Sequence, residues 1–215
     1  MTDRDRLDWA NELYERAFFN GDSEALETGE RDLDQVEADL AMARGRLMHA
    51  RFFQDRKENP RELELFERAA RLYRQLGDPA READAVFWAG TVHQVIRKDT
   101  AASLPFFEKS RELAVKAGED LVLSFAVRHL GFAALEAGEL DEAESLLRQS
   151  LELRRKVGFE RGIAPALLAL AEHARHANRD EEAEKLFDEA TESATACGAT
   201  KILEIVKAVR NQEDV

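Results

Sequence analysis

The sequence is poor in the residues that cross-link or interrupt a chain, with one cysteine and four prolines among 215 residues. A single cysteine excludes a disulfide within the chain and favours a reducing, cytoplasmic location. No run of 18 apolar residues occurs, and the N-terminal stretch MTDRDRLDWANEL has no apolar core. We therefore expect neither a transmembrane helix nor a signal peptide.

Basic residues are also fewer than acidic ones: the sequence has 31 lysines and arginines and 44 aspartates and glutamates, for a net charge of −13. This balance argues against nucleic acids and anionic membrane surfaces as partners. The charge is uneven: residues 1–39 hold 13 acids and 4 bases, whereas residues 40–76 hold 5 acids and 9 bases. The two segments should attract when stacked, although ordinary solvated helix faces explain the clustering equally well.

Motifs for catalysis or cofactor binding are absent from the sequence. It contains no glycine-rich phosphate loop, no H-E-x-x-H, no C-x-x-C and no nucleophile elbow. Glu172, His173 and His176 fall within little more than one helical turn, and Glu172 and His176 could share a helix face as metal ligands. Two ligands on one helix are too few to hold a metal ion. The sequence therefore predicts a protein without enzymatic activity, metal or cofactor.

What the sequence does contain is an internal repeat. Four similar segments end at Gly77, Gly118, Gly158 and Gly198, with spacings of 41, 40 and 40 residues. A small residue stands eight positions before each glycine and a large apolar residue eleven positions before: Ala69, Ser110, Ser150 and Ala190, and Phe66, Phe107, Leu147 and Phe187. Small and large residues three apart predict a helix that packs closely against a neighbour at one point and fills a gap at the next.

Each repeat has the pattern of two helices. In the third repeat, one apolar-periodic run ends at Gly138 and a second ends at Gly158. Glycine just past a helix end favours a left-handed turn. Gly131 lies within the first run, where glycine costs up to about 1 kcal/mol relative to alanine, so a packing reason is expected.

The third and fourth repeats carry the same residue types at the same spacing: Leu130, Gly131, Ala134, Gly138, Ala143, Leu147 and Ser150, then Leu170, Ala171, Ala174, Asn178, Ala183, Phe187 and Ala190. This pattern resembles the tetratricopeptide repeat, in the form of about 40 residues found in bacterial regulatory proteins and kinesin light chains. In that family a small residue on the first helix lets the second helix of the same repeat approach, which would explain Gly131.

The resemblance implies an all-α fold, an α-solenoid whose helical hairpins follow a right-handed superhelix. It divides a single domain, 1–215, into a degenerate helical unit at 1–36, repeats at 37–77, 78–118, 119–158 and 159–198, and a capping helix at 199–211. In the first unit we expect a short second helix interrupted at Gly29, and in the second repeat an extra residue between the two helices. In the capping helix, Ile202, Ile205, Val206 and Val209 recur at helical spacing and should cover the last repeat.

The resemblance also implies a function, namely binding of a protein or peptide segment in a concave groove lined by the first helix of each repeat. The corresponding positions are Arg44, Arg51 and Gln54; Phe87, Thr91 and Gln94, with Trp88 and Val92 as the alternative register; Phe125, Arg128, Phe132 and Leu135; and Leu168, Glu172, Arg175 and His176. Arginines mixed with aromatic residues suit an acidic, partly apolar segment. Alternatively, acidic neighbours within the stack satisfy these arginines.

The predicted protein is thus an adaptor or regulatory module. Two other functions stay open: a sensor of a peptide or small molecule that partners a transcription factor or kinase, and an enzyme with an adapted concave pocket. The sequence names neither the partner nor the oligomeric state.

Overall fold

The computed structural model describes residues 3–211, so residues 1–2 and 212–215 of the predicted domain lie outside the described residues. Within 3–211 the chain forms ten α-helices, one π-helical turn and no strand. The helices are α1 (Asp3–Asn20), α2 (Ser23–Asp55), α3 (Arg61–Leu76), α4 (Pro79–Thr91), α5 (Thr100–Ala117), α6 (Asp120–Glu136), α7 (Leu140–Lys156), α8 (Glu160–His176), α9 (Asp180–Ala196) and α10 (Thr200–Arg210). The predicted all-α class is confirmed.

The helices group into two compact units, one ending at Lys109 and the other beginning at Ser110. In the first unit α1 packs on α2, α2 on α3, and α3 on α4. In the second unit α6 packs on α7, α7 on α8, α8 on α9, and α9 on α10. Packing between consecutive helices is the hairpin architecture that the repeat predicts. The division of the chain into individual repeats stays a prediction.

The glycines that end helices adopt the predicted left-handed conformation. Gly138 and Gly158 have φ angles of 79° and 68°, and a Cβ at either position would meet no atom within 4 Å. These positions therefore select glycine for backbone conformation, not for space.

Glycines inside helices are explained by close packing and not by backbone conformation. A Cβ on Gly131 would lie 3.0 Å from Cγ of Leu147 on the second helix of the same hairpin. A Cβ on Gly45 would lie 2.5 Å from Cε1 of Phe66, and one on Gly90 would lie 2.7 Å from Cε1 of Phe107. The packing explanation for Gly131 is confirmed, and the same contact recurs in three hairpins.

The short helix expected near the N-terminus is wrong, because α2 runs without a break from Ser23 to Asp55. Gly29 is buried inside it, and a Cβ there would lie 3.6 Å from Cδ1 of Leu13 in α1. This glycine marks where the two helices approach instead of ending α2. The side chain of Asp22 caps the helix by accepting a hydrogen bond from the amide of Ala25.

The extra residue of the second repeat lies inside a helix and not between helices. Residues Val92–Ile96 form a π-helical turn that continues α4, and the amide of Arg97 donates to the carbonyl of Val92 at 3.1 Å. A π turn accommodates one additional residue within a helix. The next helix then begins normally, since Asp99 accepts a hydrogen bond from the amide of Ala102.

The core of the second unit extends into α10. Val206 is fully buried within the apolar cluster that includes Leu170 and Phe187, and Ile202, Ile205 and Val209 pack partly buried against it. The predicted capping role of this helix is confirmed. Separately, none of the helices within residues 3–211 has the length and apolar character needed to span a membrane.

Candidate functional site

Aromatic rings and guanidinium groups lie together on the second unit. On α6, Cζ of Arg128 lies 4.5 Å from the centroid of the Phe132 ring. One turn earlier, the ring of Phe125 meets the ring of Phe159 edge to face at 5.8 Å, and Cζ of Arg154 lies 5.4 Å from its centroid. The α6 residues follow one another at three- and four-residue spacing, which places them on one helix face. We call Phe125, Arg128, Phe132, Arg154 and Glu172 the α6 cluster.

Arg128 is the unusual member of the α6 cluster. It makes no hydrogen bond or ion pair with any residue of the described chain, and its Nε atom is buried without a partner. Burial lowers the pKa of Arg128 to about 10, while the charge of Glu172 acts in the opposite direction. A buried donor without an acceptor is costly, so the geometry leaves a cation able to accept a partner from outside.

Glu172 of α8 provides the opposing charge without direct contact. Burial raises the pKa of this carboxyl, and Arg128 is the largest influence that lowers it. No ion pair between the two side chains forms within the described residues. The carboxylate therefore offsets the charge of Arg128 only in part, and it stays close enough to influence an anion that approaches Arg128.

Arg154 is a member of the α6 cluster that the sequence analysis missed. It is 4% exposed, and its Nη1 atom donates to the carbonyl of Gly162 at 2.7 Å while Nε has no partner. Burial lowers the pKa of Arg154 to about 9, and the nearby charge of Arg128 lowers it further. The repeat did contain a signal, because the position four residues before the terminal glycine is Tyr73, Ala114 or Ala194 in the other repeats.

The fourth repeat contributes less to this surface than predicted. The guanidinium of Arg175 donates to the carbonyls of Val209 and Arg210 at 2.7 and 2.6 Å, so it holds the C-terminal end of α10. Its role in binding stays a prediction without support from the geometry. His176 is exposed, with Nδ1 2.8 Å from the main-chain oxygen of Glu172. Leu168 of the fourth repeat is buried, whereas Leu135, a predicted groove residue of the third repeat, is half-buried.

Other arginines of the second unit follow the alternative interpretation, satisfaction by acidic neighbours. Arg148 pairs with Glu144 and Glu182 at 2.7 and 2.8 Å, and Arg179 pairs with the same two carboxylates. Arg148 and Arg179 are therefore members of surface ion pairs. Arg128 has no such pair within the described residues, which makes it the candidate binding residue.

In the second repeat, the predicted groove residues belong largely to the core. Phe87 and Thr91 are 4% and 3% exposed, and the hydroxyl of Thr91 donates to the carbonyl of Trp88. Val92, in the alternative register, is 1% exposed. These three side chains cannot contact a partner unless the helix opens. Gln94 and Trp88 are half-buried.

In the first repeat the predicted register needs correction. The repeat spacing places the counterpart of Gly131 at Ala50, but the glycine that contacts the second helix is Gly45, five positions earlier. Five residues rotate a helix by roughly 140°. Arg44, Arg51 and Gln54 are accordingly exposed on another face of α2 than the one predicted.

Histidines near the α6 cluster have protein partners. Nε2 of His173 lies 2.8 Å from the carbonyl of Leu140, and its Nδ1 lies 3.1 Å from Nη2 of Arg179, which fits a neutral ring that donates through Nε2 and accepts through Nδ1. Across residues 3–211, no group of three or more His, Cys, Asp or Glu side chains is placed to hold a metal ion.

Replacement of Arg128 by methionine is expected to raise stability by about 1 kcal/mol, or the melting temperature by about 2–4 °C. A lowered pKa of a base means that the folded protein tolerates the charge less well than the unfolded chain does, so removing the charge favours the folded state. Circular dichroism during heating measures the effect. The matched control is Arg148→Met, whose charge is paired and whose loss should leave the melting temperature unchanged or slightly lower. A lower melting temperature for Arg128→Met than for the control would identify Arg128 as structural.

Part of the sequence and the fold of the chain are similar to those of known proteins. Residues 121–196 match the family described as tetratricopeptide repeat. The fold is similar to that of BtubC (BKLC) from P. vanneervenii, with a TM-score of 0.57, 13% identity and coverage of 91% of each chain. It is also similar to the nearly identical TPR-like repeats of a Podosopora anserina protein described as a putative kinesin light chain, with a TM-score of 0.51, 15% identity and coverage of 83% of this chain and 95% of that chain. No curated protein matches the sequence.

Proposed function

We propose that the second unit binds a partner segment through the α6 cluster, because residues 121–196 match the tetratricopeptide repeat family, whose repeats generally mediate protein–protein interaction. The segment carries a carboxylate that pairs with Arg128 and an apolar side chain that packs on Phe125 and Phe132. Arg128 supports this proposal most strongly, because its buried Nε atom has no acceptor among residues 3–211.

A carboxylate fits Arg128 better than a neutral acceptor does. Hydrogen bonds between a guanidinium and a carboxylate are charge-assisted and often bidentate, and they are roughly twice as strong as neutral ones. A second cation, Arg154, lies so close to Arg128 that the charge of Arg128 lowers the pKa of Arg154. An incoming anion would relieve the repulsion between the two arginines and supply the missing acceptor at the same time.

The apolar part of the segment has two rings to contact. Phe132 is half-buried beneath Arg128, and Phe125 is half-buried between Phe159 and Arg154. Aromatic anchors at the desolvated centre of an interface often contribute 2 kcal/mol or more, whereas exposed charge pairs contribute about 0–1 kcal/mol. The rings should therefore set the affinity, and the arginines should select for an acidic residue.

Glu172 should limit the affinity for an acidic segment. Its carboxylate influences the pKa of Arg128, so it also repels an anion bound there. Tetratricopeptide-repeat proteins are typically non-enzymatic scaffolds, and we propose that this chain likewise acts without catalysis, as an adaptor or regulator.

A peptide library displayed against the full chain tests the proposal. We expect enrichment of peptides with aspartate or glutamate next to large apolar residues. Calorimetry with the best peptide should then give a dissociation constant at least about tenfold higher for Arg128→Met and about thirtyfold higher for Phe132→Ala. Glu172→Gln should bind more tightly than the wild type.

Arg148→Met is again the control, since it removes an exposed charge of the same unit that already has partners, and its affinity should equal that of the wild type. Enrichment of basic or purely apolar peptides would contradict the proposal that the segment binds through a carboxylate. Equal binding by wild type, Arg128→Met and Phe132→Ala would show that the α6 cluster is not the binding site. Because Arg128→Met is expected to be more stable, weaker binding by this variant cannot be attributed to unfolding.

A further inference from the structure

The outer surface of α1, in the first unit, is rich in exposed aromatic rings. Leu7, Tyr14 and Phe18 are 47%, 57% and 68% exposed, and Phe19 beside them is 73% exposed. The rings of Tyr14 and Phe18 stack with their centroids 5.7 Å apart, and the ring of Phe18 meets that of Phe19 edge to face at 5.0 Å. We call these four residues the aromatic patch.

Helix α1 packs on α2 through another side, which leaves the aromatic patch uncovered. Leu13 is 2% exposed, and its Cδ1 lies 3.6 Å from the place that a Cβ on Gly29 of α2 would occupy. Phe18 stands five residues after Leu13, which is a rotation of roughly 140° around the helix. Single exposed apolar residues are ordinary, but a contiguous group of large ones marks an interaction surface.

A row of acids runs beside the aromatic patch. Asp8, Glu12 and Glu15 recur at four- and three-residue spacing, so they share one side of the helix. Each stands one position after a residue of the row that contains Leu7 and Tyr14, so the two rows run side by side. All three acids are exposed, and none has a hydrogen bond or an ion pair within residues 3–211. We call these three residues the acidic row.

The arginines of α1 do not neutralise the acidic row. Nε of Arg6 lies 4.0 Å from a carboxylate oxygen of Asp32, and Arg16 pairs with Asp22 at 2.6 Å. Among the arginines of α1, Arg4 alone has no ion pair within residues 3–211. The outer face of α1 therefore carries three carboxylates and one guanidinium that have no partner in the described part of the chain.

This distribution of charge selects the class of partner. A second copy of the chain would bring three more carboxylates to the contact and only one more guanidinium, so like charges would meet. Nucleic acids and anionic membranes are disfavoured for the same reason. A helix that presents large apolar residues beside a row of lysines or arginines is complementary to both the aromatic patch and the acidic row.

We propose that the outer face of α1 binds a basic amphipathic helix of another protein. Apolar side chains of that helix pack on the aromatic patch, and its lysines or arginines lie over the acidic row. The surface from Leu7 to Phe19 is about 18 Å long, so three to four turns of the partner helix cover it. The binding surface belongs to the first unit and does not depend on the function proposed for the second.

Calorimetry of the full chain with synthetic peptides tests the proposal. The probe is an amphipathic peptide of about 18 residues with leucines on one face and lysines on the other, and the reference peptide has glutamates in place of the lysines. We expect the lysine peptide to bind and the glutamate peptide not to bind. The variants Tyr14→Ala/Phe18→Ala and Asp8→Lys/Glu12→Lys/Glu15→Lys should each raise the dissociation constant of the lysine peptide at least about tenfold.

The matched control is Glu108→Lys/Glu136→Lys/Glu192→Lys. It changes the net charge by the same amount, at exposed acids outside α1 that also lack an ion pair within residues 3–211. Its dissociation constant should stay within about threefold of the wild-type value. An equal loss in this control would mean that the peptide responds to net charge alone, which overturns the proposal. Unchanged binding by Tyr14→Ala/Phe18→Ala, or binding of the glutamate peptide, overturns it as well.

Hydrogen exchange locates the bound peptide and identifies other occupants. The amides of α1 should exchange more slowly when the lysine peptide is present, whereas those of α10 should not change. Protection confined to the second unit would overturn the proposal. Sedimentation equilibrium without peptide is the last measurement, with a monomer expected. A dimer that Phe18→Ala dissociates would show that a second copy covers the aromatic patch and would overturn the proposal too.

Discussion

Replacement of Gly131 by leucine is expected to lower the free energy of unfolding by about 3 kcal/mol. Even a Cβ at this position would lie 3.0 Å from Cγ of Leu147 and 3.4 Å from Cβ of Leu146. Leu147 is 1% exposed and lies in the core of the second unit, so it has no space to move into. A full leucine side chain therefore separates α6 from α7. Urea denaturation followed by circular dichroism measures the loss.

The control for this variant is Gly158→Ala, at a helix end with a φ of 68° and no atom within 4 Å of the added Cβ. It should cost only about 1 kcal/mol, the strain of a left-handed residue that has a side chain. Gly131→Ala should fall between the two. If Gly158→Ala were the most destabilising of the three, backbone conformation and not helix contact would limit stability.

Replacement of Val206 by aspartate is the second large effect, with an expected loss of roughly 3–5 kcal/mol. Val206 is fully buried among the apolar residues that α8, α9 and α10 share. An aspartate there would have to bury an unpaired carboxylate or detach the helix. Detachment would also remove the two carbonyl acceptors of Arg175. Thermal unfolding monitored by circular dichroism measures the loss.

Lys207→Asp is the control, because it introduces the same side chain one position later on the exposed face of α10. Its stability should stay within about 0.5 kcal/mol of the wild type. A second measurement is removal of the chain after Gly198, which should uncover the apolar face beneath α10 and cause aggregation. Equal stability of Val206→Asp and Lys207→Asp would mean that α10 contributes nothing to the core.

The hairpins could be predicted because the second helix of each repeat carries a large apolar residue at a fixed distance from its terminal glycine. In three hairpins that residue packs on a glycine of the first helix: Phe66 on Gly45, Phe107 on Gly90 and Leu147 on Gly131. The continuity of α2 could not be predicted in the same way. An interior glycine costs up to about 1 kcal/mol, and the packing of Leu13 on Gly29, which offsets this cost, joins residues of two different helices.

The sequence named most members of the α6 cluster, but it did not show which predicted groove residues are accessible. Arg128 and Phe132 are only half-buried, whereas the corresponding residues of the second repeat, Phe87 and Thr91, are buried in the core. Phenylalanine is apolar throughout and gains by burial, and threonine is short enough to bond its own helix. Arg154 escaped prediction because it lies on the second helix of its repeat. Its burial, with Nη1 bonded to the carbonyl of Gly162 and Nε without an acceptor, depends on contacts between helices that no spacing encodes.

The π-helical turn at Val92–Ile96 bears on how such repeats are aligned. Counting back from Gly118 finds Phe107 and Ser110, both fully buried, so the second helix is in register with its neighbours. The first helix is displaced by one residue, since Gly90 and Gly131 are 41 apart while Gly118 and Gly158 are 40 apart. An alignment of repeats should therefore place such a gap within a helix, about one turn after the contact glycine, instead of in the loop where gaps are customarily put.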